Sequence, residues 1–283
     1  MRNTRGRSTR MVTRLTLADW PRMLRLGAPD RRSGGGMERY QAVLMDMFDT
    51  LVNFHWDRLP LIRLDGQDVR TTSPLLYESL RPGFPDVSCE DFCRAFVGAS
   101  RTVQELRNRH HREITARERF QRFFDALGIP TGPDADRLLE AGIAEHMRLL
   151  ARAMEFPDAH RAVLERLYPR FRLAVVSNFD YAPTVNATLR AEGILDRFET
   201  VVVSADVGWC KPRPEIFAET LRRMGLAPAD AIFVGDTPAA DVVGAQGMGL
   251  DVVWIDRGTV PLPPETPAPT HTVSSFSRIA DLF

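Results

Sequence analysis

Two carboxylates and a hydroxyl crowd into the run Asp46-Met47-Phe48-Asp49-Thr50-Leu51, and a second acidic pair lies far downstream in Gly235-Asp236-Thr237-Pro238-Ala239-Ala240-Asp241. Between them stand Ser177-Asn178 and Lys211, the latter in Val207-Gly208-Trp209-Cys210-Lys211-Pro212-Arg213-Pro214-Glu215-Ile216-Phe217. These residue types suit a nucleophilic carboxylate, a hydroxyl and a cation that hold an anion, and an acidic pair that holds a divalent metal. Lys211 is singled out by composition as well. Of 37 basic residues it is the only lysine, and the other 36 are arginine. A chain that otherwise uses the planar guanidinium keeps a compact, rotatable ammonium where a point charge is needed. Codon bias is the plain alternative, and the neighbours of Lys211 decide between the two.

Five short apolar runs place these groups: Ala42 to Met45, Leu173 to Val176, Thr200 to Val203, Ala231 to Val234, and Asp251 to Ile255. Each has the length of a buried strand. Helical spacing follows the second, third and fourth, over Pro183 to Glu192, Pro214 to Met224 and Ala239 to Met248. Strands alternating with helices predict an α/β fold, a Rossmann-like parallel sheet with helices on both faces. Ligands of such sheets sit beyond the carboxyl ends of the strands. Asp46, Ser177, Lys211 and Asp236 all follow a strand end, so one edge of the sheet is expected to gather them.

More than a hundred residues separate the first two strands, too many for a simple crossover. Helical spacing recurs there over Pro74 to Leu80, Cys89 to Arg107, Glu113 to Leu127 and Ala135 to Met154, and Leu61 to Arg70 reads as a hairpin turning at Asp65-Gly66. The expected organisation is a basic, disordered N-terminal extension over 1–36, a core formed by 37–52 and 158–283, and an inserted helical cap over 53–157.

The composition, 44% hydrophobic and 26% charged, is that of a soluble globular protein. The formal charge is zero, but residues 1–36 hold nine arginines against Asp19 and Asp30, a net +7 that leaves −7 elsewhere. Met37, just before the first strand, is a candidate start, and plain disorder is the other reading of the preceding stretch. Its acidic residues and scarce serine argue against a transit peptide, and no motif supports nucleic-acid binding. No run approaches roughly 18 apolar residues, and no secretory signal is evident. A cytoplasmic protein is expected, acting on a small molecule as monomer or homodimer, with no nucleic-acid or membrane partner. Three cysteines provide no disulfide framework, and Cys89 and Cys93 lack the four-ligand spacing of structural zinc.

In order and spacing the motifs resemble the haloacid dehalogenase superfamily, with its helical cap between the first and second motifs. The likeness runs from Val43 to Phe283, and Lys211-Pro212-Arg213-Pro214-Glu215-Ile216-Phe217 is its most specific part. It implies that Asp46 is the nucleophile, that Thr50, Ser177 and Asn178 bind substrate, and that Lys211 is the cation beside Asp46. It also implies magnesium held by Asp46, the main-chain carbonyl of Phe48, Asp236 and Asp241. For Asp241 the alternative is an acid stabilised by a helix N-terminus.

One position departs from the pattern. Phosphatases of this family carry a second aspartate two residues after the nucleophile as general acid-base, and here Phe48 stands there. Such a group contributes about 10²- to 10⁴-fold, so weakened turnover is expected, least impaired for leaving groups that need no proton. Asp49 is a poor substitute, because its side chain is expected to point elsewhere and cap the turn. An aromatic at this position also resembles the dehalogenase branch, in which aspartate attacks carbon and no metal is needed. Asp236 and Asp241 favour the magnesium-dependent phosphohydrolase instead, since an acidic pair beside Asp46 needs a neutralising cation. A binding protein without turnover is the remaining alternative. Phosphonate cleavage through a cap lysine is excluded, because the insert has no lysine.

Overall fold

A computed structural model describes residues 36–283, and the expectations for the basic stretch before them lie outside the described residues. Strand β1 (Ala42–Met45) is buried at all four positions, as an unbroken apolar run demands when strands flank it on both sides. A tight turn over 46–52 follows, and then β2 (Asn53–Phe54). The hairpin β3 (Leu61–Leu64) and β4 (Gln67–Arg70) turns at Asp65 and Gly66, both with positive φ, as the Asp-Gly pair predicts.

Four helices come next: α1 (Ser73–Leu80), α2 (Cys89–His110), α3 (Ala116–Ala126) and α4 (Pro133–Ala151). Strand β5 (Met154–Glu155) then pairs with β2 and closes the insertion at its root. Helix α3 begins three residues later than its spacing predicts. Thr115 and Glu118 form a capping box there, and Glu113 is buried outside the helix.

The rest of the chain runs through α5 (Asp158–Leu167), β6 (Arg172–Ser177), α6 (Ala182–Ala191), β7 (Thr200–Val203), α7 (Ser204–Val207), α8 (Pro214–Met224), β8 (Ala231–Gly235), α9 (Val243–Gly247), β9 (Asp251–Ile255) and β10 (His271–Val273). The sheet has six strands in the order β10-β9-β8-β1-β6-β7, all paired in parallel. Met45 lies opposite both Val175 and Val234, so the carboxyl ends of β1, β6 and β8 are nearly level. That register brings Asp46, Ser177 and Asp236 to one edge.

The sheet and the helical insertion bury separate apolar clusters. Val43, Val175, Val234 and Ile255 belong to the first, and Phe92, Phe120, Phe123 and Ile143 to the second. Phe179, just beyond β6, packs against both. The segment expected as one helix over Ala239 to Met248 instead opens with a wide turn, Pro238–Val242, before α9. Within that turn Asp241 Oδ2 accepts the main-chain N–H groups of Asp236 (3.1 Å) and Thr237 (2.9 Å). No described helix is long and apolar enough to cross a membrane.

Candidate active site

Asp46 leaves β1 with its main-chain N–H donated to Val234 O at 2.9 Å, which fixes it between the two central strands. The turn behind it folds on itself, with Leu51 and Val52 donating to Met47 O and Asp49 donating to Val52 O. Asp49 adopts φ 57°, a conformation that aspartate tolerates better than most residues. Its carboxylate accepts the Phe54 N–H at 3.1 Å, and Arg257 donates to its main-chain oxygen. Asp49 therefore holds the turn together.

Lys211 is 3% exposed, and its Nζ lies 2.5 Å from Asp46 Oδ1 and 2.8 Å from Asp241 Oδ1. The ring of Phe233 lies beneath it, with its centroid 5.3 Å from Nζ. Asn178 holds the lysine main chain, accepting from Lys211 N at 2.7 Å and donating to Lys211 O at 3.1 Å. One amide N–H of Asn178 remains for a ligand. Gly235 is required at the end of β8, because a Cβ there would meet the Asp241 side chain at 2.5 Å. Of the two oxygens of Asp241, Oδ2 holds the turn and Oδ1 faces the lysine.

Asp46, Asp236 and Asp241 each offer an oxygen, all within 4.8 Å of one another. Burial pushes the Asp46 carboxyl up to about 8, with Lys211 opposing and Asp241 and Asp236 adding to the rise. Burial also raises Asp236 to about 6, again with Asp241 adding. On Lys211 burial works against the charge, yet Asp241 and Asp46 hold its pKa above the ordinary value. Three clustered carboxylates thus face one contacting ammonium, that of Lys211 on Asp46 and Asp241, with the Arg257 charge opposing the rise at Asp236. Beyond its 2.8 Å contact with Lys211 Nζ, Asp241 Oδ1 has no partner among the described residues. A hard divalent cation such as magnesium fits this all-oxygen donor set.

Two hydroxyls border the cluster. Thr50 Oγ1 reaches Asp236 Oδ1 at 3.4 Å, while Ser177 Oγ is fully buried and has no partner among the described residues. Phe48 turns its ring toward Phe179 (centroids 5.0 Å apart) and Phe54 (6.2 Å), so no carboxylate replaces the missing acid at that position.

Several arginines of the insertion are engaged locally. Arg63 faces Asp68, Arg70 donates to the main-chain oxygens of Asp57 and Leu59, Arg101 reaches Gln67, and Arg107 reaches the buried Glu113. Sequence reasoning misses two buried ion pairs, Arg107 with Glu113 and Arg119 with Asp180. Asp180 stands two residues after Asn178 and Glu113 six after Arg107, but no local pattern marks either acid as buried.

A parallel sheet carrying these groups on its carboxyl edge, with helices inserted after the first strand, defines a class of hydrolase folds. The model of the haloacid dehalogenase-like hydrolase family matches residues 40–249, and the chain belongs to that family. It is 34% identical over 155 residues to phosphoserine phosphatase of Thermus thermophilus, covering 50% of this chain and 62% of that enzyme, so it spans under two thirds of that relative. It is 27% identical over 221 residues to glyceraldehyde 3-phosphate phosphatase of Pyrococcus abyssi, covering 77% of this chain and 82% of that enzyme. Among solved structures, 2-haloacid dehalogenase from Pseudomonas syringae pv. Tomato DC3000 superposes with a TM-score of 0.60 at 24% identity, covering 86% of this chain and 97% of that one. That likeness is one of fold.

Proposed function

We propose that the chain is a magnesium-dependent phosphohydrolase that acts on a small phosphorylated metabolite through a covalent intermediate on Asp46. The observation that carries this reading is the shared position of Lys211 Nζ between Asp46 and Asp241, with Asp236 beside them. The relatives named as phosphatases support it. Magnesium held by Asp46, Asp236, Asp241 and the Phe48 main-chain carbonyl would neutralise the acidic cluster and stabilise charge on the transferring phosphoryl group.

The chain's own residues supply the rest. An Asp46 oxygen attacks phosphorus as the bond to the ester oxygen breaks, and water then cleaves the acyl phosphate to return the carboxylate and release inorganic phosphate. Lys211 balances charge between Asp46 and the incoming anion. Ser177, whose buried hydroxyl lacks a partner among the described residues, and Thr50 donate to phosphate oxygens, and Asn178 sets the lysine loop while keeping one N–H for the substrate. With Phe48 in place of the usual acid, the leaving oxygen departs without a proton from that position.

Release of phosphate from p-nitrophenyl phosphate, with and without magnesium, tests the reading alongside Asp46→Asn. Turnover that needs magnesium and disappears in the variant is expected. Phe48 favours a second reading, displacement of halide from a 2-haloacid by Asp46. Its mark is halide release that a chelator leaves unchanged.

A further inference from the structure

Glu113 lies between α2 and α3, far from the carboxylate cluster in sequence, and its side chain is fully buried. Such a carboxylate persists only when it is paired and hydrogen-bonded. Each of its oxygens is used. Oε1 accepts the Ile114 N–H at 3.0 Å and faces Arg107 Nε at 3.3 Å. Oε2 accepts from the Ser204 hydroxyl and from Cys210 Sγ at 3.2 Å.

The main chain of the same segment pairs with the loop that carries the lysine. Glu113 N donates to Gly208 O at 3.0 Å, and Cys210 N donates to His111 O at 2.8 Å, an antiparallel bridge centred on Arg112 and Trp209. Cys210 directly precedes Lys211. Ser204, the other partner of Glu113, accepts the Phe179 N–H at 2.9 Å, next to the Asn178 that holds Lys211 from the opposite side. One carboxylate from the insertion therefore braces both loops that fix the lysine.

We propose that Glu113 is a positioning residue that sets Lys211 against Asp46 from the insertion side. The insertion then contributes to the site by templating the 204–211 segment of the sheet domain. Lys211 must meet Asp46 and Asp241 at once, and a loop free to drift would lose one of them. The inference rests on the reading that Lys211 serves the reaction, but its geometric part can be tested without turnover.

The lone lysine makes that test direct. Protein grown with lysine carrying 13C at Cε gives a single side-chain cross-peak, which belongs to Lys211. Glu113→Gln keeps one acceptor oxygen for Ile114 and Arg107, and its amide can face Ser204, whose hydroxyl turns to Phe179 O, already 3.2 Å away. This variant is expected to keep the Lys211 cross-peak near its wild-type position and to recover most of the turnover. Glu113→Ala is expected to move or broaden the peak toward that of free lysine and to lower kcat on p-nitrophenyl phosphate by about 10²-fold, the order that a displacement near 1 Å costs. A folded Glu113→Ala protein with the wild-type Lys211 peak overturns the proposal. If that variant does not fold, Ser204→Ala takes its place, with a smaller shift in the same direction expected and an unmoved peak contradicting the inference. A wild-type protein inactive on phosphate esters refutes the functional reading alone, because the cross-peak still reports whether Glu113 places the lysine.

Discussion

Lys211 Nζ and Asp46 Oδ1 meet at 2.5 Å across 165 residues of sequence, and the same ammonium touches Asp241 at 2.8 Å. The contact is buried, and Phe233 closes it from below. A guanidinium is larger and planar, and cannot occupy that point between two carboxylates without pushing one away. Lys211→Arg is therefore expected to lower kcat on an aryl phosphate by about 10²-fold or more, the scale of a misplaced reacting group. Wild-type turnover in this variant would show that the ammonium is not needed there.

Phe48 sets a second expectation. Phe48→Asp restores a carboxyl at the position two residues beyond Asp46, and should raise turnover of alkyl phosphates, whose leaving groups need a proton, far more than that of p-nitrophenyl phosphate. A gain of at least about 10-fold on the alkyl ester is expected, within the roughly 10²- to 10⁴-fold ceiling for a positioned general acid-base. Comparing kcat for the two esters in both proteins checks it. An equal change on both would separate the residue from leaving-group protonation.

Asp49 is expected to be dispensable for the chemistry. Its carboxylate accepts the Phe54 N–H, and Asp49→Asn keeps an acceptor oxygen for that bond on a residue type that tolerates the same positive φ. Turnover should stay within about threefold, against the 10²-fold or greater loss expected of a general acid-base. A loss of that larger size, measured as kcat at saturating substrate, would assign Asp49 the role that Phe48 lacks.

How far the sequence carries this picture depends on the kind of contact. Strands such as Ala42–Met45 and Thr200–Val203 are legible because a short apolar run between polar turns has few other solutions, and the candidates Asp46, Ser177 and Asp236 stand at strand ends, with Lys211 in the loop beyond the helix that follows β7. The hairpin at Asp65-Gly66 is legible through its turn residues. Strands β2 and β5 are two residues each and β10 is three, too short for alternation to show, so the sequence does not reveal them. Glu113 and Asp180 are invisible for another reason. Glu113 meets Ser204 and Cys210, and Asp180 meets Arg119, only when the insertion packs on the sheet domain, and an isolated acid in a sequence looks like any surface acid.

The insertion also carries a pH response. His146 is buried with its Nδ1 2.7 Å from Thr72 Oγ1, and burial, with Arg119 adding, holds its pKa well below the ordinary 6.5. His160, on α5 of the sheet domain, is depressed in the same direction, chiefly by burial. The native state keeps these rings neutral while the unfolded chain binds protons below about pH 6.5, so their contribution to stability is full above that value and is lost as pH drops toward the native pKa. The slope should reach at most about 1.4 kcal/mol per pH unit for each ring. In thermal melts between about pH 7.5 and 5, the Tm of wild type should fall relative to that of His146→Asn as pH drops, because the raised Asp46 and Asp236 carboxyls act in the opposite sense but equally in both proteins. Equal slopes in the two proteins would remove His146 from the account.

The most direct test of the central claim is product release by wild type and Asp46→Asn, with magnesium and with a chelator, from p-nitrophenyl phosphate and from 2-chloropropionate. Phosphate release that requires both magnesium and Asp46, with no halide released, is the predicted result. Halide release that persists in chelator and is lost in Asp46→Asn would contradict it.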